Sequence, residues 1–187
     1  MRTRLPVICC VLAIALAASI THAQDFVWAK QMGGTRFDYG EAVAVDSSGN
    51  TYATGIFEGT STFGSSILNS AGFQDIFVEK LAPDGAVQWA KRMGGTLSND
   101  EGHGIAVDAS GNVYVTGRFA ATADFGPYVL TSAGNSYDGF VVKLDPNGAV
   151  QWAKRMGGGN CRLGSCSCLR CKRESLRNWI FYWYSGL

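Results

Sequence analysis

The sequence predicts an all-β fold of propeller type. It reads as two complete four-stranded antiparallel blades preceded by one N-terminal strand, in an incomplete ring. Three observations predict this. Long segments recur at a nearly constant interval, turn-forming residues stand at fixed places within each interval, and the composition is that of a globular β chain, with 24 Gly, seven Tyr and ten Phe.

The recurrence is close. "DGAVQWAKRMGG" at 84–95 returns as "NGAVQWAKRMGG" at 147–158, and "FVWAKQMGG" at 26–34 is a third copy. "VDSSGNTYATGIF" at 45–57 returns as "VDASGNVYVTGRF" at 107–119. Trp28, Trp89 and Trp152 are spaced by 61 and 63 residues, and Asn50 and Asn112 by 62. The spacing varies at "TRFD" against "TLSND" and at "GFQD" against "GNSYD", as expected of loops joining fixed strands.

The elements follow in chain order. Arg2 and Arg4 precede the apolar run Pro6 to Ile20, and Thr21-His22-Ala23 ends in a small residue, so residues 1–23 read as a secretory signal peptide cleaved after Ala23. That run is too short for a committed membrane span. Cys9 and Cys10 leave with it. The repeat region is 24–160, opening with a strand at 26–33 that matches the last strand of a blade. Blades follow at about 42–93 and about 104–156. In the second, "GIAVD" (104–108) is a short apolar strand, and "DASGN" turns the chain into "NVYVTGRF" (112–119), rich in β-branched and aromatic residues. A loop containing Phe125-Gly126-Pro127 leads to "GFVVKL" (139–144), the turn "DPNG" (145–148) and "AVQWAKRM" (149–156). Neither face of these strands is wholly polar, as for blades packed between blades.

The motif D-x-x-G-N-x-Y-x-T-G, present at Asp46–Gly55 and Asp108–Gly117, together with the Trp-Ala-Lys-x-Met-Gly-Gly strand, resembles the bacterial SBBP β-propeller repeat over Asp25 to about Gly158. The resemblance implies a secreted or cell-surface bacterial protein and brings no catalytic residues with it. An opening strand that belongs to the end of a blade fits the closure device of propellers. A closed ring nevertheless takes about four to eight blades. Two blades leave outer faces and edge strands open, and self-association through exposed blade edges is expected.

Residues 161–187 break the pattern. A third "DASGNVYVTGRFAATAD" is due 62 residues after Asp108, at position 170, where "RCKRESLRNWIFYWYSG" stands. Read one base later, Arg170, Cys171, Lys172 and Arg173 permit Asp, Ala, Ser and Gly; Leu176 and Arg177 permit Tyr-Val, and Asn178 permits Thr. Trp179 before Ile180, and Trp183 before Tyr184, each force Gly, at the places of Gly117 and, one period earlier, Gly59; Leu169 does not yield the Val due there. The segment therefore reads as an unstructured, out-of-frame tail on a truncated repeat protein. The rival reading is a zinc or disulfide cluster of Cys161, Cys166, Cys168 and Cys171, but four cysteines in eleven residues without a nearby histidine suit neither well. The basic residues Arg155, Arg162, Arg170, Lys172, Arg173 and Arg177 with Trp179, Phe181, Tyr182, Trp183 and Tyr184 also imitate a nucleic-acid surface. A shifted frame produces such mixtures without selection.

Without residues 1–23, 14 basic side chains face 15 acidic ones, which argues against capture of nucleic acid or anionic lipid. Asp46, Asp84, Asp108 and Asp145 lie in Gly-containing turns and invite comparison with calcium loops. Each turn offers one or two oxygen side chains where calcium gathers six to eight oxygens, so capping of turn N–H groups is the favoured reading. Asp100, Glu101 and His103 in "DEGHG", with Asp38 and Glu41 in the matching "DYGEA", contain the groups of an acid–base pair. Their recurrence, with His103 in one blade only, favours a surface loop. No nucleophile elbow, zinc-protease or phosphate-loop motif is present. No catalytic, metal or cofactor residue is assigned. The expected function is a secreted, non-enzymatic surface or binding module for an extracellular protein or glycan. The alternative is a fragment of a propeller enzyme, quinoprotein-like or glycan-cleaving, whose active site lies elsewhere.

Overall fold

A computed structural model describes residues 27–134 and 136–157. The segment read as a signal peptide, and Cys161, Cys166, Cys168, Cys171 with the rest of the segment read as out of frame, lie outside the described residues. Those described form antiparallel sheets, with strands as their only regular elements. The first blade has β2 (Asp38–Val45), β3 (Thr51–Phe63), β4 (Ser66–Leu81) and β5 (Val87–Met93) in that spatial order, with β1 (Gly33–Gly34) added to the far end of β3. The second has β6 (Glu101–Val107), β7 (Val113–Phe119), β10 (Asp138–Leu144) and β11 (Val150–Met156), also in order; β8 (Thr122–Phe125) and β9 (Tyr128–Thr131) pair only with each other.

Four boundaries differ from the sequence reading, the first being the inner strand of the first blade, which begins at Asp38 rather than about 42. The N-terminal strand at 26–33 reduces to Gly33–Gly34, because residues 27–32 have no ladder partner among the described residues. The inner strand of the second blade begins at Glu101 rather than 104, pairing Glu101 with Arg118 and absorbing His103 as a bulge between Gly102 and Gly104. The loop around Phe125-Gly126-Pro127 is the two-residue turn of the β8–β9 hairpin, with Gly126 at φ +70°. In the first blade the same hairpin is continuous with β3 and β4, where Phe63 pairs with Ser66 around Gly64.

Turn chemistry explains the strand connections. Asp46 N–H donates to Asn50 O at 3.0 Å and Gly49, at φ +82°, returns its N–H to Asp46 O. A three-residue loop ending in a left-handed glycine matches the twist of a hairpin. Asp108–Asn112, Ala82–Ala86 and Asp145–Ala149 repeat the arrangement.

The core is the space between blades. Val113, Val115, Phe119, Phe140, Val142 and Leu144 of the second blade pack with Tyr52, Ile76, Val78 and Met93 of the first, all buried. Each hairpin folds an aromatic ring back onto its own blade. Phe125 meets Phe119 and Phe140 with ring centres 5.8 and 4.8 Å away; Phe63 meets Phe57 and Phe77 at 6.0 and 5.0 Å. Ring pairs at such distances add about 0.5–1.5 kcal/mol beyond the apolar area they bury.

Adjacent blades are also tethered. Trp89 Nε1 of β5 donates to Pro146 O in the β10–β11 turn of the next blade at 3.1 Å. Gly94 exchanges two backbone bonds with Asp124 on β8, at 2.9 and 3.0 Å. Only glycine fits the second link, since a Cβ at Gly95 would lie 2.0 Å from Thr122 O. Residues 27–34 make the same links to the first blade: Trp28 Nε1 donates to Pro83 O at 2.9 Å, and Gly33–Gly34 pair with Ser61 and Thr62.

Candidate functional site

The repeated turns and the junction residues stand at opposite ends of the blades. At the turn end, each aspartate of the D-x-x-G-N motif is satisfied within its own loop. Asp46 Oδ1 accepts from Ser48 and Asn50 N–H at 2.9 Å each, and Oδ2 from Asn50 Nδ2 at 2.8 Å and Tyr52 Oη at 3.1 Å. Asp108 does the same with Ser110, Asn112 and Tyr114. Burial opposes ionisation of both carboxyls, but the donors led by the Asn50 and Asn112 side chains outweigh it and hold them below the usual carboxylate range. Burial, with the Asp46 charge beside it, pushes Tyr52 up to about 12. Asp145 accepts from Asn147 and Ala149, and Asp84 from Ala86. The turn-capping reading of the four aspartates therefore holds.

Between the two D-x-x-G-N turns lies a cleft of about 420 Å³. Its walls are Val45–Ser48 from the first blade and Val107–Gly111 from the second. Ser47, Ser48, Ala109 and Ser110 are exposed at its rim. The cleft exists because the turns recur one blade apart, and its lining combines hydroxyls and turn amides with Val45 and Val107.

At the opposite end, "DEGHG" is not a surface loop. Asp100, Glu101 and His103 are all buried, because β6 is pressed against the first blade. Asp100 accepts from Gly95 N–H at 2.7 Å and from Ala120 N–H at 3.2 Å, tying the link between blades to the hairpin. Burial drives its carboxyl up to about 6 against these donors, and burial raises its neighbour Asp75 as well. Asp75 is held by Arg92 at 2.8 Å and Ala71 N–H at 2.8 Å. Asp38 caps Gly34 N–H and Ser61 in the first blade, as Asp100 caps its own junction. Glu41 is the bulged residue between Gly40 and Ala42, at the place His103 holds in the second blade.

Glu101 takes His103 Nε2 at 3.1 Å and Arg118 at 2.5 Å; the His103 bond, then Arg118, overcome burial and draw the carboxyl down to about 2. Arg118 also lies over the Tyr137 ring at 4.5 Å. Both oxygens of Glu101 are thus engaged, and its carboxylate locks β6 to β7 through Arg118. Sequence reasoning missed Glu79. It is fully buried between Ala53 and Ala90, its oxygens have no hydrogen-bond partner among the described residues, and burial alone pushes it up to about 7. The only signal was "VEKL" at 78–81 standing where the second copy has "VVKL" at 141–144.

Among the described residues, no three His, Cys, Asp or Glu side chains gather as metal ligands. No helix there is long and apolar enough to cross a membrane. Residues 88–118, from Gln88 near the start of β5 through β6 to Arg118 of β7, match the β-propeller repeat family SBBP. That match is one SBBP repeat. The SBBP unit straddles the blade junction, so one match spans the Trp89 tether, Gly94-Gly95, Asp100 and the turn facing the cleft. No curated protein matches the sequence.

Proposed function

We propose that this SBBP-repeat chain is a secreted or cell-surface module that binds an extracellular protein or glycan, without catalysis, through the cleft between its repeated turns. The observation that carries the reading is the cleft itself: exposed Ser47, Ser48 and Ser110 surround a depression whose two walls are copies of one loop. The groups with acid–base chemistry support a non-enzymatic role, since Asp100 and Glu101 are buried and spent on holding blades together. Secretion rests on the segment 1–23, and mass analysis of the exported chain should find Gln24 as its first residue.

The out-of-frame reading of 161–187 belongs to the same proposal: the module descends from a longer repeat protein. Coding DNA decides this point. Restoring one base between the codons of about Gly157 and Leu169 should open a frame that continues with further repeats, and an alternative frame without them ends the truncation reading. Binding is tested by exposing the exported chain to a glycan array and to extracellular protein fractions. A ligand lost on Ser48→Tyr and Ser110→Tyr, which fill the cleft, supports the proposal; binding unchanged by both, or turnover of the ligand, overturns it.

A further inference from the structure

The segment 27–34 lies where a blade's outer strand belongs, yet no inner strands accompany it among the described residues. Its three links to the first blade duplicate those that β5 makes to the second. Trp28 donates to Pro83 O as Trp89 donates to Pro146 O. Gly33–Gly34 lie against Ser61 and Thr62 as Gly94 lies against Asp124. Gly34 N–H meets Asp38 Oδ2 at 2.7 Å, as Gly95 N–H meets Asp100 Oδ2 at 2.7 Å. The first blade therefore has a receptor slot for an outer strand, and the chain's own N-terminal segment fills it with few bonds.

A second outer strand has no slot to enter. "VQWAKRMGG" at 150–158 is identical to "VQWAKRMGG" at 87–95, and the face it belongs to copies the face that the first blade buries. Thr116, Val141 and Lys154 lie side by side as Thr54, Val78 and Lys91 do; Tyr114, Lys143 and Trp152 correspond to Tyr52, Lys80 and Trp89. The geometry is already set. The Tyr–Trp ring separation is 6.3 Å in both blades and Lys Nζ stands 5.4 Å over the tyrosine ring in both. Tyr52 is fully buried while Tyr114 and Trp152 are half-exposed. Trp152 donates to no described residue.

We infer that the outer strand β11 of one chain displaces residues 27–34 of a second copy from the slot on its first blade, so that copies join head to tail with the N-terminal segment acting as a removable plug. The occupant is a second copy because β11 repeats the Trp, Lys and Gly-Gly residues by which β5 holds the next blade, and the slot on the first blade repeats the links that receive them; the two contacts differ where Ile76 and Val142 of the internal junction become Gly139 and Glu79. Such a heterologous contact closes into a ring when the rotation per copy permits and otherwise extends as a filament. The inference is independent of what the turn cleft binds.

Sedimentation of the exported chain over a wide concentration range, with reductant present to exclude cysteine cross-links, tests it. Discrete oligomers should form by mass action. Trp152→Ala should weaken association at least about tenfold by removing a central aromatic anchor. Lys154→Glu changes an exposed residue whose counterpart Lys91 reaches the next blade's turn at Gly148, and should weaken it too without touching the fold. Trp28→Ala should act in the opposite direction, strengthening association about tenfold by loosening the plug. A monomer at every concentration, or association that Trp152→Ala and Lys154→Glu leave unchanged, overturns the inference. So does a Trp28→Ala chain that associates no more tightly than the parent, which would identify 27–34 as a permanent part of the first blade.

Discussion

The aspartate turns were readable from sequence because their chemistry is local: an Asp two and four residues before its N–H donors needs nothing from the rest of the chain. Asp108 satisfies two backbone and two side-chain donors, whereas Asp84 satisfies one, Ala86 N–H. Asp108→Ala should therefore cost about 2 kcal/mol in urea unfolding and Asp84→Ala less than about 1 kcal/mol. Glu79 was unreadable for the opposite reason. Its burial depends on Ala53 and Ala90, which flank it from other strands, and on which face of the blade they share. Between its ordinary 4.5 and about 7 the folded chain keeps a proton that the unfolded chain has released, so stability falls as pH rises across that window. Asp100 acts in the same direction between 3.8 and about 6. Glu101 acts in reverse, adding stability as pH rises from about 2 to 4.5. Unfolding midpoints should accordingly peak near pH 4 to 5. Glu79→Val, which installs the residue found at Val142, should flatten the fall above that and raise stability at pH 8 by about 3 kcal/mol.

Strand order and blade number followed from the repeat, because a 62-residue period with turns at fixed places leaves little freedom in how antiparallel strands can meet. The β8–β9 hairpin is hard to read because Gly126-Pro127 signals a loop and Ala123 and Asp124 are poor strand formers, although Tyr128 to Thr131 carries β-preferring residues after a glycine-led two-residue turn. "DEGHG" reads as a surface loop because it recurs with His103 in one blade only, and only the contact between β6 and the first blade shows Asp100, Glu101 and His103 to be inside. The hairpin is a structural member. Phe125→Ala should cost about 3–5 kcal/mol, as for other buried aromatics, and Gly95→Ala should speed amide exchange at Gly94 and Asp124 by pushing the blades apart.

At the scale of the whole molecule, the period makes the chain a series of like units whose stability is a sum of blades and junctions. Segments 1–23 and 161–187 are readable as departures from the repeat, while what the cleft receives is not, since loops of this kind take their partner from side chains that composition does not rank. The Trp89 tether has a mechanical meaning. Trp28 fastens the N-terminal segment to the turn of the first blade and Trp89 fastens β5 to the turn of the second, so tension applied through the two ends of the chain reaches one blade only after the neighbouring fastening has failed. Stretching a single molecule should then give stepwise yielding rather than one global rupture. Each step should lengthen the thread by the 62 residues of one period, about 200 Å of extended chain. A chain of this build absorbs load in increments, giving length before it gives way.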